Sequence, residues 1–288
     1  MFSFKNVQRI KRILFHWCVL MIVLFAIGPF LWLIITSISL QRELLHVPPH
    51  WIPHQPTLKN YITLIYGREE IMETASHFKY SILNSLVVAG FVTLICLAIG
   101  SVAAYSFARL HFKGNYFLFL SVIFIQMIPV VALIIPLYIL MNKIGLLNTK
   151  FSLILAYSSF ILPFVIWVMR GYFETIPANL EDAAAMDGCS PLGILLRIVF
   201  PLSAPGLVAT GIFSFLTAWN EFFIALVFTS SYTSKTVPVL ISEFAGRYSI
   251  DYGLMGAATV IASVFPISLA LIFQKYIVRG LTSGAVKG

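Results

Sequence analysis

A short acidic run, LEDAAAMDG at residues 180–188, combines residue types that suit docking rather than catalysis. Its first two acids, Glu181 and Asp182, would lie near a helix N-terminus, where the helix dipole favours negative charge. The alanines that follow leave the backbone narrow, so a partner can approach it closely. Pro177 before the run is typical of a helix start, and Gly188 at its end is typical of a left-handed helix stop. The run therefore predicts a short helix that a partner could hold.

A second helix is predicted directly after the first, because Ser190 is a suitable N-cap and Pro191 suits the first helical position. A polar helix-turn-helix between apolar stretches has no lipid to bury against, so it is expected at the membrane surface. Composition alone leaves two interpretations open, docking on a partner or resting on lipid headgroups. The first helix lacks the large apolar anchors and basic residues of a lipid-bound helix, which favours docking.

A second polar group, Trp219, Asn220 and Glu221, interrupts an apolar stretch. A carboxylate within a membrane is costly unless it is paired or faces water. Three interpretations stay open for Glu221. If the chain moves a substrate across a membrane, Glu221 with Asn220 could line the translocation path or its gate, or Glu221 could couple a carrier to protons or sodium. Glu221 could instead make a structural hydrogen bond to a neighbouring span or subunit. The carrier has the least support, because Glu221 has no second acid within a span as a relay partner.

Three histidines, His46, His50 and His54, recur every four residues, a spacing that would align them for a metal ion on a helix. The prolines within residues 48–53 rule out such a helix. We therefore predict no metal site. The sequence also shows no local signature of a nucleophilic triad and no paired carboxylates in a plausible cleft, so we predict no enzyme active site.

These residues lie in a chain with the composition of a membrane protein. Its 288 residues are 59% hydrophobic and only 10% charged, whereas an ordinary soluble domain carries about 25% charged residues. So few charges cannot cover a soluble surface of this size. The net charge of +8 would suggest a nucleic-acid partner in a soluble protein. Here the basic residues flank apolar stretches, where they set membrane orientation instead, so we expect a bilayer and no nucleic acid.

Six apolar stretches approach the roughly 20 residues that a bilayer core requires. They cover residues 13–38, 80–108, 116–141, 151–170, 204–229 and 254–277. Basic residues cluster within residues 1–12, so this N-terminal segment is expected in the cytoplasm. Six crossings return the tail, 278–288, to the same side. The predicted fold is all-α and polytopic, with a permease domain at 13–277, external loops at 39–79 and 230–253, and the helix-turn-helix inside a cytoplasmic loop at 171–203.

The acidic run, followed by Pro201-Leu202 and Pro205-Gly206, resembles the EAA loop of importer-type ABC transporter permeases. Other matches to these permeases extend along nearly the whole chain. They are WIP at 51–53, NY at 60–61, AAYSFARL at 103–110, AWNEFFIAL at 218–226 and GLTSGAVKG at 280–288. The chain is similar to the carbohydrate-uptake branch of the MalG type. One residue departs from the family pattern, because Asp182 stands where the family has glutamate and its carboxylate is one methylene shorter.

The resemblance implies that residues 177–188 form a coupling helix that sits in a groove of a separate ATP-binding subunit. The coupling residues it implies are Leu180, Glu181, Asp182, Ala183, Ala184, Ala185, Asp187 and Gly188. It further implies that the C-terminal tail reaches between two such ATPase subunits. The tail residues concerned are Leu281, Thr282, Ser283 and Gly284.

The resemblance also implies a complete importer in a bacterial or archaeal inner membrane. Its parts would be this chain, a second related permease subunit, two ATP-binding subunits and an extracytoplasmic solute-binding protein. The implied substrate is a sugar such as maltose, maltodextrin or trehalose. The chain has no GxxxxGK[ST] run, so we expect it to bind no cofactor and to be no enzyme, with ATP and Mg²⁺ held by the partner ATPase. The alternatives are a proton- or sodium-coupled secondary carrier and a non-transport scaffold.

Overall fold

The computed structural model describes residues 4–48, 50–67, 73–246 and 250–283. In these ranges the chain is almost wholly helical, and β-pairing is limited to one bridge between Ala245 and Ile250. A π-helical turn at Leu195–Val199 joins α10 to α11. The helices are α1 (Phe4–Ile38), α2 (Gln41–Leu44), α3 (Lys59–Tyr66), α4 (Glu73–Ser76), α5 (Phe78–Arg109), α6 (Asn115–Ile125), α7 (Val130–Lys143), α8 (Lys150–Glu174), α9 (Ala178–Met186), α10 (Pro191–Ile194), α11 (Phe200–Leu202), α12 (Ala204–Trp219), α13 (Phe223–Phe228), α14 (Val237–Glu243) and α15 (Tyr252–Ser283).

Four helices among the described residues, α1, α5, α8 and α15, are long and apolar enough to cross a membrane. Two helix pairs pass the same test but are bent. Helices α6 and α7 meet at 92°, and the segment Pro191–Leu202 meets α12 at 85°. Counting each bent pair as one span gives up to six. The all-α polytopic fold is confirmed.

The predicted third and fifth spans are not continuous helices. The third, 116–141, divides into α6 and α7 before Pro129, which lacks an N–H and disfavours helical backbone at the residue before it. The fifth, 204–229, divides into α12 and α13 at residues 220–222. Hydropathy identifies apolar length but does not detect breaks between helices. The sequence therefore predicted each of these stretches as a single continuous span.

The chain forms two compact units, one of residues 1–78 and 241–263 and the other of residues 79–240 and 264–288. In the first unit α3 packs on α1, and the Tyr61 hydroxyl lies 2.6 Å from Ser37 Oγ. Residues 58–65 have a helix-like periodicity in the sequence, and the structure forms α3 over nearly the same residues.

In the second unit α8 is the central helix. It contacts α6, α7, α12 and α13, and it buries side chains along its whole length, from Leu153 to Phe173. Close approach of α5 to α8 depends on Gly100, where a Cβ atom would lie 2.7 Å from Val165 Cγ1. The helix-turn-helix of α9 and α10 belongs to this unit and follows directly from the C-terminal end of α8.

Candidate functional site

Local sequence explains both ends of α9. Pro177 is the N-cap, and the helix runs from Ala178 to Met186. Gly188 has φ +84°, the left-handed conformation that glycine adopts most readily. The N–H of Gly188 donates to Ala185 O and the N–H of Cys189 donates to Ala184 O, both at 3.0 Å. These are the two bonds of a Schellman motif, which satisfies carbonyls at the end of a helix. The predicted glycine stop is confirmed.

The second helix begins as its sequence predicts. Ser190 Oγ accepts a hydrogen bond from the N–H of Gly193 at 3.2 Å, and Pro191 occupies the first helical position. The helix continues through the π-helical turn, and Ile194, Leu195 and Val199 are buried. Its apolar face therefore packs inside this chain, which positions α9 by its C-terminal end.

Helix α9 has one face against its own chain and one face free. Met186 is 89% exposed and Leu180 is 46% exposed, while Glu181 and Ala184 are each only 7% exposed. The other predicted coupling residues also lie on the exposed side. They are Asp182, Ala183, Ala185, Asp187 and Gly188.

Two of the predicted coupling residues, Glu181 and Ala184, are thus turned into the chain and offer no surface to a partner. They lie three residues apart, which places both on one side of an α-helix. The sequence predicts that a partner approaches the alanine run closely, but the structure places Ala184, unlike Ala183 and Ala185, on the inner face. Sequence reasoning overlooked Met186, the most exposed large apolar residue of the helix, although its position in the run makes it readily visible.

Glu181 is the residue that fastens α9 to the chain. Its Oε2 accepts a hydrogen bond from the Tyr105 hydroxyl at 2.8 Å, and its Oε1 accepts one from Arg109 Nε at 2.7 Å. Arg109 Nη2 donates to Phe173 O at 2.8 Å and to Ile176 O at 2.6 Å. We call Tyr105, Arg109 and Glu181 the Arg109 clamp. It joins the end of α5, the end of α8 and α9.

The Arg109 clamp is well shielded from solvent, with side-chain exposures of 18% for Arg109 and 9% for Glu181. Nε and Nη2 of Arg109 both have acceptors, and both carboxylate oxygens of Glu181 are used. Such pairing makes a shielded ion pair tolerable, because removing one partner leaves an uncompensated charge. Sequence reasoning missed Tyr105 and Arg109, although Arg109 ends a stretch, 80–108, that has no other charge.

Glu221 lies at the break in the fifth apolar stretch. Its Oε1 accepts a hydrogen bond from the N–H of Ile224 at 2.9 Å, and its Oε2 accepts one from the N–H of Ala225 at 3.2 Å. The carboxylate thus satisfies two N–H groups that the start of α13 leaves unpaired. This explains how an acid is accommodated within an apolar stretch. Both of these bonds stay within the segment that carries Glu221, and a bond from this carboxylate to a neighbouring span or subunit stays a prediction.

The neighbours of Glu221 differ in their surroundings. Trp219 is buried, and its ring lies 5.8 Å from that of Phe215 and 5.2 Å from that of Phe265. Asn220 is exposed at the end of α12, with its N–H bonded to Leu216 O. A role for Asn220 and Glu221 in the translocation path or its gate stays a prediction.

The predicted tail residues Leu281, Thr282 and Ser283 continue the backbone of α15, and Gly284 lies outside the described residues. The last helix therefore extends past residue 277, where the sequence places the end of the sixth span. The role of these residues toward an ATPase stays a prediction.

The histidines differ from expectation. No helix passes through the described part of 46–54, as the prolines require. The loop nevertheless brings one donor atom each of Glu43, His50 and His54 within 4.8 Å of one another. The prediction assumed that only a helix could align these side chains, and this assumption is wrong, because a turning loop achieves the same convergence.

Comparison with known proteins agrees with this architecture. Residues 96–283 match the family described as the inner membrane component of binding-protein-dependent transport systems. The trehalose/maltose transport system permease protein MalG of Thermococcus litoralis is 36% identical over 280 residues, which cover 97% of this chain and 98% of that protein. The chain belongs to this family of inner membrane components. The MalG-type resemblance is confirmed, and the protein is a multi-pass ABC-importer permease.

Two further comparisons extend along the permease. The trehalose transport system permease protein SugB of Mycobacterium tuberculosis is 36% identical over 277 residues, 95% of this chain and 97% of that protein. A bacterial ABC transporter that imports the acidic polysaccharide alginate has a chain of the same fold, with a TM-score of 0.78 and 23% identity over 96% of this permease and 99% of that chain. Neither comparison supports a proton- or sodium-coupled carrier.

Proposed function

We propose that this permease forms half of the translocation path of an ATP-driven sugar importer, and that α9 receives the movement of a partner ATPase. The observation that carries this proposal is the two-sided character of α9. Its outer face presents Met186, Leu180 and Asp182, while its inner face is fastened by Glu181. A helix that is free outside and fixed inside is suited to transmit a displacement.

The Arg109 clamp supplies the path for that displacement. Because Arg109 also holds the carbonyls of Phe173 and Ile176, a push on α9 acts on α5 and α8 together. Helix α8 contacts α6, α7, α12 and α13, so its movement reaches most of the second unit. In this proposal the clamp converts a contact at the membrane surface into a movement of packed helices, which is what alternation between two states requires.

The remaining parts of the proposed importer follow from the family. The N- and C-terminal segments lie in the cytoplasm with α9. Two ATP-binding subunits hold ATP and Mg²⁺, a second related permease subunit completes the path, and an extracytoplasmic solute-binding protein delivers the substrate. Leu281, Thr282, Ser283 and Gly284 reach toward the ATPases. ATP hydrolysis takes place on the partner, since this chain has no phosphate-binding run.

The proposed substrate is a sugar of the disaccharide or short oligosaccharide class. Its support is the pair of relatives named for trehalose/maltose and trehalose transport. We place Asn220 and Glu221 at the gate of the path, because these two polar residues lie at the break between α12 and α13 and Asn220 is exposed there.

Cysteine crosslinking tests the docking surface. In the assembled importer, Met186→Cys should crosslink to the ATPase in high yield, because residue 186 is 89% exposed. Ala184→Cys is the matched control, two positions away on the same helix but only 7% exposed, and it should crosslink poorly. Equal yields at both positions, or crosslinks to lipid alone, would show that α9 does not dock as proposed.

Uptake by proteoliposomes tests the function itself. Trehalose or maltose uptake should require ATP and the binding protein and should persist when the proton gradient is collapsed. Gly188→Val should uncouple hydrolysis from uptake, because a β-branched residue is strained at φ +84° by about 1–2 kcal/mol. Nothing lies within 4 Å of a Cβ at this position, so the strain comes from the backbone alone. Unchanged uptake in this variant would remove the coupling role of the helix end.

A further inference from the structure

A cluster of metal-ligand side chains lies after the end of α1. Glu43 comes from the short helix α2, and His50 and His54 come from the loop that follows it. One donor atom of each residue lies within 4.8 Å of a donor atom of the other two. All three residues belong to the first compact unit, and none takes part in the proposed coupling.

The carboxylate of Glu43 is held in place by the loop. Its Oε2 accepts a hydrogen bond from the N–H of His54 at 2.9 Å, and its Oε1 accepts one from the N–H of Gln55 at 3.2 Å. The neighbouring Arg42 Nη2 donates to Gln55 Oε1 at 2.6 Å. Each carboxylate oxygen has a second lone pair, so the bound carboxylate can still accept a cation. Such bonds orient a ligand before a metal arrives.

The surroundings of His50 independently favour a bound cation. Its Nδ1 is buried and has no hydrogen-bond partner among the described residues. The ring lies 4.6 Å from that of His46 and 4.3 Å from that of His54. A buried nitrogen without a partner is destabilising. A cation held by this nitrogen and its neighbours would remove that penalty.

We propose that Glu43, His50 and His54 form a binding site for a divalent transition metal, with Zn²⁺ as the preferred ion. Two imidazoles and one carboxylate are a common zinc ligand set. Zinc bonds of about 2.0–2.2 Å require ligand atoms roughly 3.5 Å apart, so the side chains need to move together by about 1 Å. Water or His46 completes the coordination.

His46 is in a suitable form to be that fourth ligand. Its Nδ1 lies 2.9 Å from Pro48 O, and a carbonyl oxygen only accepts, so Nδ1 carries the proton. The lone pair then lies on Nε2, the form that binds a metal. A metal ion bound at this site would link residues 50–55 to α2 and so restrict the motion of this segment.

Metal titration of the full chain tests this site. The permease is purified through a tag that contains no histidine, stripped with chelator, and titrated with Co²⁺ and then Zn²⁺. We expect a single Co²⁺ with the absorption of a four-coordinate ion, displaced by Zn²⁺. His50→Ala and Glu43→Gln should each weaken Zn²⁺ binding by more than the roughly 10- to 100-fold typical of losing an outer partner.

His111→Ala is the matched control, because His111 is an exposed histidine of the second unit and should leave binding unchanged. Zn²⁺ should also raise the thermal midpoint of the wild type and of His111→Ala but not of His50→Ala. The thermal midpoints of the metal-free wild type and the metal-free His50→Ala are also compared. A similar midpoint in both shows that the variant folds and has lost only metal binding. Absence of saturable binding in the wild type, or equal affinity in His50→Ala, would overturn the proposal.

Discussion

The Arg109 clamp allows a quantitative test, because the chain contains a second arginine–glutamate pair with the same contacting atoms that is more exposed and lies within one helix. Arg109 and Glu181 are 2.7 Å apart with side-chain exposures of 18% and 9%. Arg170 and Glu174 are 2.8 Å apart with exposures of 26% and 46%. Both pairs use Arg Nε and one carboxylate oxygen. Replacing each glutamate with glutamine removes the charge at nearly constant size.

The two substitutions are expected to lower the free energy of unfolding by amounts that differ several-fold. Breaking a buried ion pair by removing one partner costs about 3–5 kcal/mol. In Glu181→Gln, Arg109 keeps the carbonyls of Phe173 and Ile176, so we expect the lower end, about 3 kcal/mol. This corresponds to a change of roughly 100-fold in the equilibrium between the folded and the unfolded permease. For Glu174→Gln, an exposed pair one helical turn apart, we expect about 0.3–0.5 kcal/mol.

Two assays measure these effects. Denaturation of the purified permease, with a double-mutant cycle over Glu181→Gln and Arg109→Ala, isolates the energy of the pair itself. Proteoliposomes of the assembled importer give ATP hydrolysed per sugar imported, which should rise for Glu181→Gln while hydrolysis continues. Tyr105→Phe removes only the hydroxyl bond to Glu181, which lies at 2.8 Å, and should shift both readouts in the same direction by less. It remains measurable if Glu181→Gln fails to fold.

Similar small effects of Glu181→Gln and Glu174→Gln would show that the Arg109 clamp does not hold α9 to α5 and α8. Loss of stability with an unchanged ratio of ATP to sugar would show that the clamp only holds the fold together. Either result would remove the proposed link between α9 and the spans.

Three further predictions concern the packing of Gly206, the backbone at Asn148 and the break in the fifth apolar stretch. Gly206→Ala should destabilise the permease by about 1–3 kcal/mol, because its Cβ would lie 2.5–2.7 Å from ring atoms of Tyr172. Gly171→Ala, with nothing within 4 Å, should be neutral or stabilising in the same thermal assay. Asn148→Ala should lower the free energy of unfolding by about 1–2 kcal/mol more than Asn148→Gly, because residue 148 has φ 61°. Both variants lose the same side-chain bonds to residues 230–234, so the difference reports the backbone alone. Equal thermal midpoints would contradict this. Glu221→Ala should lower the free energy of unfolding by about 0.5–2 kcal/mol, because the cap of α13 is lost. Collapse of the proton gradient should leave the residual uptake of this variant unchanged. Uptake that depends on the gradient would restore the carrier hypothesis.

The sequence predicted the features that depend on neighbouring residues. The stop at Gly188, the cap at Ser190 and the first helical position of Pro191 follow from short-range backbone chemistry, so they could be inferred from the motif itself. Apolar length identified the four long helices α1, α5, α8 and α15, because the bilayer acts on each apolar stretch directly. The family followed from motifs spread along nearly the whole chain.

Only the tertiary structure decided which side of each element meets which neighbour. Glu181 and Asp182 are adjacent acids in the sequence, yet one is buried on Arg109 and the other is exposed, because successive helical positions point in different directions. The convergence of Glu43, His50 and His54 depends on the path of an irregular loop, which no periodicity encodes. Local propensity determined where helices begin and end. The choice of partner for each side chain arose from contacts between residues far apart in the chain, such as Arg109 with Glu181.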